Sequence, residues 1–560
     1  MKKLFALLLA VVMVMGLVAC VNTPAETTPP AGKDPVEPNG SSSSTVYEGV
    51  KFPLAEEKTF KITASGDSEM WIDEALANNK LWQEIYQKTN VKIEFNWITP
   101  LDKADRLAAL DRMIQTNQVG DAVLCSFMDD ASISAMVAND QILAITEYVD
   151  NEILMPNLHK NVFGSEPGVR GNWTFPDGEV YVLGNYTLGV ETDSRFYINK
   201  AWLDKAKMEV PDTWAEFEAV LKYFAENDMN GNGKDDEIPL FVHTSQNYSL
   251  PSHWMGLWGI SCKDSTTDSY TYIMDDGETV DYVPLTDNYK AMVTKFAEWY
   301  KNGILFDGFD LDKTAVNELY RGTGDSLIGV MPYQGSGIPR NGDEYVWFCP
   351  PAADGYELEI YNHPALKYGG KNNAFLMKDC SDPEVLMAWF DLFYDEEVSV
   401  RNKYGELDGS YVKLDENGKL VGTSESAKDP DWLQANKRTN NYLSLMLQSL
   451  PYCYTENTYE TIFAPNMSEN IDKIMEMYGE HLNPNPWPRP YFSEDDSKLV
   501  AEVRADINTL TAKWYAEFVV GEKNIETDWA AYLEAMNKAG IDQYLEGHQN
   551  AYDTWLSGQK

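Results

Sequence analysis

The chain is 560 residues long, 44% hydrophobic and 24% charged, with 88 acidic against 45 basic residues and a formal net charge of −43 at pH 7. That apolar share supplies a sizeable core, and the length predicts more than one domain. A surface so acidic repels phosphate backbones and polyanionic glycans, which excludes nucleic acid and strongly anionic polysaccharide from the expected ligands.

Lys2-Lys3 and the apolar run Leu4 to Val18 have the layout of a secretory signal over residues 1–19, too short to span a bilayer comfortably. It closes on Leu17-Val18-Ala19-Cys20, the pattern of bacterial lipoprotein processing, which predicts lipid (palmitate) on Cys20. Removal of Lys2 and Lys3 takes the net charge to −45. Residues 20–45 are rich in Pro, Thr, Ser and Gly and bury too little to order themselves. They read as a tether with a root-mean-square span of roughly 25–30 Å. The expected location is the outer face of a bacterial cell membrane, of a Gram-positive organism, with the lipid as the only anchor.

The first folded segment, Lys58 to Ala64, alternates like a half-buried strand, and a helix from about Asn79 to Thr89 carries Leu81, Trp82, Ile85 and Tyr86 on one face. Val91 to Trp97 is the next strand, Lys103 to Gln115 the next helix, and Asp121 to Ser126 the third strand. Strands alternating with helices predict a parallel α/β sheet, with ligands beyond the C-terminal strand ends. Here those ends lead into the Ser65–Trp71 and Phe127–Asp130 loops. Thr213 and Glu216 fit a capping box, and Phe217, Val220, Leu221 and Phe224 form the stripe of the helix that follows.

That helix runs into Asp228-Met-Asn230-Gly-Asn232-Gly233-Lys234-Asp-Asp236-Glu237-Ile-Pro239. Calcium takes six to eight oxygen ligands, and alternate positions of such a loop reach one centre when a glycine at position 6 allows the turn. The predicted set is Asp228, Asn230, Asn232, Lys234 through its carbonyl, and Asp236. Position 12, where an EF-hand carries a bidentate Glu, is Pro239, leaving Glu237 as the nearby substitute. The competing reading is a solvated Asn/Gly/Asp turn. A structural calcium is expected, not a switch. Cys125, Cys262, Cys349, Cys380 and Cys453 show no CxxC and no metal-ligand spacing, so most are expected to be buried small residues and at most two disulfides could form.

Asp193 to Asp204, the VPDTWAEF segment at Val210–Phe217, the calcium loop, Asp391 to Glu397, and Trp529-Ala-Ala-Tyr532 with Gly540 to Leu545 together resemble the extracellular solute-binding proteins (family 1) of bacterial ABC importers, in the large lipoprotein subgroup that carries a calcium loop. The resemblance runs the length of the mature chain. It implies an α/β, two-lobe, type II periplasmic-binding-protein-like fold with crossing hinge segments and a helix-rich C-terminal part. It also implies a sugar or neutral oligosaccharide as ligand, ABC permease subunits as partners, and a structural calcium on Asp228, Asn230, Asn232, Lys234, Asp236 and Glu237. Neither catalysis nor an oligomer is expected. Residues 46–190 plus 326–368 are predicted to build the N-terminal lobe, and 195–325 plus 370–560 the C-terminal one. The first crossing is placed at about Glu191–Asn199 and the return crossing near Asp325–Met331, where Leu327 to Met331 is read as a strand entering the first lobe, with a third crossing near Tyr368–Phe375.

A neutral sugar needs flat aromatic platforms beside carboxylate, amide or Arg groups that satisfy its hydroxyls. Position selects Asp67, Trp71, Asp129, Trp173, His253, Trp254, Trp258 and Tyr333, although a single Trp is more often core than platform. Trp82, Trp202, Trp214, Trp389 and Trp514 on helices, and Trp347 in an apolar strand, are assigned to core. The rivals are a cell-surface glycoside hydrolase, which needs two carboxylates about 5–5.5 or 6.5–9.5 Å apart, a carbohydrate-binding adhesin, and a peptide or other solute as ligand.

Overall fold

The computed structural model describes residues 49–559 except 66–78, 99–102, 167, 188–194, 244–249, 263–269, 307, 310, 334–337, 363–367, 405–406, 408–411, 418–419, 423–449 and 456–467. The signal, Cys20 and tether predictions lie outside these residues.

Strand β1 (Lys58–Ser65) buries Phe60 and Ile62 and pairs in parallel along its length with β2 (Val91–Ile98), from Lys58 opposite Val91 to Ser65 opposite Ile98. Helix α1 (Lys80–Thr89) joins them. Asn79 caps it by accepting Trp82 N–H at 3.1 Å, and Asn90, at φ 58°, ends it in the left-handed conformation that Asn tolerates. After α2 (Lys103–Gln115), β3 (Ala122–Leu124) adds to the other side of β1, and α3 (Asp130–Ala138) follows it. Strand β4 (Leu183–Thr187) completes the part of this sheet built before the first crossing.

A second sheet starts at β5 (Arg195–Asn199), all five of whose residues are buried. Helices α4 (Lys200–Ala206) and α5 (Trp214–Glu226) cover one face. The Thr213–Glu216 capping box is formed, and Phe217, Val220, Leu221 and Phe224 are buried as the spacing predicts. Strand β6 (Ile238–Leu240), the hairpin of β7 (Thr271–Ile273) and β8 (Val280–Tyr282), α6 (Asp287–Lys301), α7 (Lys313–Arg321), β9 (Ile328–Tyr333) and β10 (Tyr345–Trp347) follow. Then come β11 (Gly370–Leu376), α8 (Pro383–Asp391), α9 (Glu396–Tyr404), the hairpin of β12 (Val412–Leu414) and β13 (Leu420–Gly422), and β14 (Cys453–Tyr454). Helices α10 (Ser468–Tyr478), α11 (Glu494–Val519), α12 (Ile525–Lys538) and α13 (Ile541–Gly558) end the chain.

The first sheet has the order β14-β4-β11-β3-β1-β2 and the second β10-β5-β9-β6. The expected lobe of four strands is corrected here, β10 (assigned to the first lobe) lying in the second sheet beside β5. Strand β9, read as entering the first lobe, lies in the second sheet, antiparallel to β5 and parallel to β6. Strand β11, assigned to the second lobe, lies in the first, antiparallel to both β3 and β4. Strand β9 is apolar throughout and β11 mixes Lys371, Asn372 and Asn373 with Ala374-Phe375-Leu376, and for both it is pairing with strands far away in sequence that decides the sheet. Strand β14, also assigned to the second lobe, pairs with β4 of the first sheet. The first sheet's core gathers Val123, Cys125, Ile133, Phe175 and Phe375, and the second sheet's larger one gathers Phe196, Ile198, Phe217, Trp254 and Trp299 with α11 to α13.

Candidate functional site

The pairing fixes where strand ends collect. In the first sheet β1, β2, β3, β4 and β14 run the same way, and β11, antiparallel, begins at the edge where they end. In the second, β6, β9 and β10 end at one edge and β5 begins there. The chain passes between the sheets from Thr187 to Arg195, from Trp347 to Gly370, and from Tyr454 to α10. The first two passages join these edges directly. The third ends on Tyr478, whose hydroxyl accepts Phe196 N–H (3.2 Å) and donates to the Phe348 carbonyl (2.9 Å) beside the second sheet's edge. The C-terminal edges of the two sheets are therefore the ends that the crossings tie together, where an α/β sheet offers a ligand site.

On the second sheet's edge the Arg195 guanidinium lies 5.0 Å from the ring centroid of Trp347. Trp347 meets Tyr197 edge-on at 6.1 Å. Burial pushes the Tyr197 hydroxyl's pKa upward, against hydrogen bonds from Trp347 and Arg195. Arg321 donates to the Tyr333 hydroxyl at 3.3 Å, and His243 pairs its Nε2 with the Gly308 carbonyl at 2.9 Å. Burial lowers the pKa of that imidazole, favouring its neutral form. Trp347 is half-buried and Arg321 exposed. An aromatic face beside guanidinium, imidazole and phenol groups is the mixture that a sugar ring and its hydroxyls require.

The first sheet's edge is amide-rich. Asn185 donates to Asn373 at 2.7 Å, Tyr491 donates to Asn372 at 2.6 Å, and Asn372 donates to Asp130. Lys371 pairs with Asp130 at 3.0 Å.

The sequence-selected residues divide. Asp67 and Trp71 lie outside the described residues. Asp129 is exposed at the first sheet's edge and caps α3, accepting Ser132 N–H at 2.8 Å. Tyr333 is at the second edge, 6% exposed. Trp173, Trp254 and Trp258 are corrected to core, at 0%, 0% and 2% exposure. Trp173 donates its indole N–H to the Gly370 carbonyl at 2.9 Å under Phe163 and Tyr394. Trp254 packs on Phe196, and Trp258 on Trp214 and Phe296. His253, half-buried, closes its own helical turn by accepting Leu250 N–H at 3.0 Å. Trp347 is corrected in the opposite direction, from core to the edge. Arg195, Lys371, Asn372 and Tyr491 were not selected, and only Arg195's place at the first crossing pointed to its location.

The calcium loop forms a ring of side chains. Asp228 accepts the N–H groups of Gly231 (2.6 Å) and Gly233 (2.9 Å), and the Gly233 bond leads in holding its carboxyl below the usual range. Asn230 and Asn232 donate to Asp236 Oδ1 at 2.9 and 3.1 Å and accept the N–H of Asn232 (3.0 Å) and Lys234 (2.8 Å). Gly233 adopts φ 75°, open to glycine at no cost. Glu237 is turned onto the loop's own backbone, where Oε1 accepts Met229 N–H (2.7 Å) and Asn230 N–H (3.1 Å). Among the described residues no three His, Cys, Asp or Glu side chains converge, so the ring's oxygen donors are two carboxylates and two amides. That donor set and turn fit a hard, oxygen-seeking cation. The five described cysteines form no disulfide, and burial pushes the thiols of Cys349 and Cys453 up to about 11 and about 12.

Residues 82–330 match the model of a family described as bacterial extracellular solute-binding protein. That match takes in under half of the chain. The chain is 25% identical, over 93% of its length and 94% of the relative's, to the fructooligosaccharide ABC transporter substrate-binding protein FusA of Streptococcus pneumoniae. It is 22% identical, over 84% and 87%, to the polygalacturonan/rhamnogalacturonan-binding protein YtcQ of Bacillus subtilis. A solved structure of a FusA EF-hand mutant in complex with fructo-nystose covers 89% of the chain and is itself covered fully, with TM-score 0.69 at 21% identity. The fold is accordingly the two-lobe, type II arrangement with a helix-rich C-terminal part.

Proposed function

We propose that the protein is the extracellular substrate-binding component of an ABC importer, holding a neutral oligosaccharide between two lobes and presenting it to the permease. The observation that carries this is the match to FusA along almost the whole chain, and two strand edges tied by the crossings, one with Arg195 beside Trp347 and the other rich in amides, support it. One lobe comprises the first sheet with α1 to α3, α8 and α9, and the other the second sheet with α4 to α7 and α10 to α13. Contacts from both lobes to one ligand stabilise the closed state, which is the state a permease can select. Lipid on Cys20 would hold this monomer at the outer membrane face, and among the described residues no helix is long and apolar enough to cross a membrane.

Asp228, Asn230, Asn232 and Asp236, with the Lys234 carbonyl, would hold a calcium ion that ties the end of α5 to the start of β6 without touching the ligand. The EF-hand named for the FusA structure supports that assignment. The test is calorimetric titration with neutral and uronic-acid oligosaccharides, before and after chelation. Saturable binding of a neutral oligosaccharide is expected, with the same ligand preference in both states. A preference for acidic oligosaccharides would reject the neutral assignment, and a ligand-dependent calcium requirement would reject the structural one.

A further inference from the structure

Between α10 and α11 the chain reads Asn483-Pro484-Asn485-Pro486-Trp487-Pro488-Arg489-Pro490-Tyr491, with proline at every second position. Each proline fixes its own φ and restricts the residue before it, so the segment has little torsional freedom, and its one left-handed residue, Arg489 at φ 55°, sets a bend just before Pro490. Its start is tied to the second crossing. Asn483 N–H donates to the Ile360 carbonyl at 2.8 Å, Ile360 N–H donates to the His481 carbonyl at 2.6 Å, and Asn483 Nδ2 donates to Ser261 at 3.0 Å. Trp487 is buried against Tyr552 and His548 of α13.

At the far end adjacent residues part. Tyr491 enters the first sheet's core, stacked on Phe175 with ring centroids 3.7 Å apart, its hydroxyl donating to Asn372. Phe492 turns to the second sheet's core, edge-on to His548 at 5.0 Å. Lys371, at the start of β11, binds this point from the first side. Its ammonium donates to the Arg489 carbonyl at 2.5 Å, pairs with Asp130 at 3.0 Å, and lies 3.7 Å from the centroid of the Tyr491 ring.

We propose that this proline-stiffened strap is the fulcrum of lobe closure, with Lys371 and Tyr491 as positioning residues that lock it to the first lobe. The inference rests on the two-lobe transport function proposed above. Neighbouring side chains held in opposite cores confine relative rotation to the backbone around Tyr491 to Ser493, because the prolines remove the alternative of bending along the strap. The strand edges beside that point can then part and meet along one path, so the unliganded lobes sample a narrow range of separations and the ligand has less disorder to suppress.

The test uses the mature chain with Cys349→Ser and Cys380→Ser, labelled for energy transfer at Asp111→Cys on α2 and Lys222→Cys on α5, both exposed positions. Inter-lobe distances are recorded without ligand. Pro488→Ala/Pro490→Ala and Lys371→Met should each broaden the distribution, and Lys371→Arg should restore it. Ligand affinity should fall by about two- to fivefold per proline removed. If the proline variant does not fold, Tyr491→Phe, which keeps the Phe175 stack and loses the Asn372 bond, serves as the second arm and should also broaden the distribution. Unchanged widths in Lys371→Met and in the proline or Tyr491→Phe variant would overturn the proposal. Because the distances need no ligand, a protein that binds no oligosaccharide would reject the transport function and leave the strap result standing.

Discussion

Glu359 lies in the crossing from Trp347 to Gly370 and accepts a 2.9 Å hydrogen bond from Ser261, whose hydroxyl in turn accepts Asn483 Nδ2 at 3.0 Å. Burial pushes its pKa from 4.5 up to about 7, opposed by the Ser261 bonds and reinforced by Asp275. A carboxyl whose pKa is raised on folding holds its proton in the native state at pH values where the unfolded chain has released it. Stability therefore declines as pH rises from about 4.5 to about 7, and levels off above. The shift corresponds to a burial penalty of about 3 kcal/mol at pH 8 and under about 1 kcal/mol at pH 5. Glu359→Gln keeps an acceptor for Ser261 and removes the charge. Denaturant unfolding of both proteins at the two pH values should show the variant gaining about 3 kcal/mol at pH 8 and little at pH 5. An equal difference at both values would refute the reasoning, because it would mean that the carboxyl titrates normally.

Trp347→Ala should weaken oligosaccharide binding roughly tenfold, for the loss of about 1–2 kcal/mol of ring contact, while the melting temperature changes little. Trp254→Ala should do the reverse, costing about 3–5 kcal/mol of stability by leaving a cavity in the core, with ligand preference retained in whatever folds. Saturating calcium at about a hundredfold its dissociation constant should add roughly 2.7 kcal/mol to stability, and Asp236→Ala should abolish that increment. A melting temperature indifferent to both chelator and calcium would count against the ring at Asp228–Asp236.

The features legible in the sequence are those set by near neighbours. The capping box at Thr213 and Glu216, the stripe of α5, the parallel β1–α1–β2 unit and the ring around Gly233 all depend on residues within a few turns of one another, so spacing alone carries them. Strands β9 and β11 were exchanged between the sheets because their partners lie far along the chain, where local spacing carries no signal. The same limit applies to the tryptophans. Trp254 follows Ser252-His253 and Trp347 sits between Val346 and Phe348, the reverse of what their burial would suggest, and only the three-dimensional packing puts one beneath Phe196 and the other beside Arg195. Lys371 and Tyr491, more than a hundred residues apart, gave no local signal that they meet.

The proposed function requires that an intact neutral oligosaccharide be bound between the lobes and not cleaved. Calorimetric titration of the mature protein with fructooligosaccharides and other neutral oligosaccharides, with the ligand recovered and its mass measured, tests this most directly. Saturable one-to-one binding of at least one of them is predicted, weakened by Trp347→Ala, with the ligand recovered at its original mass. Recovery of shorter products, or a folded protein that binds none of them, would contradict it.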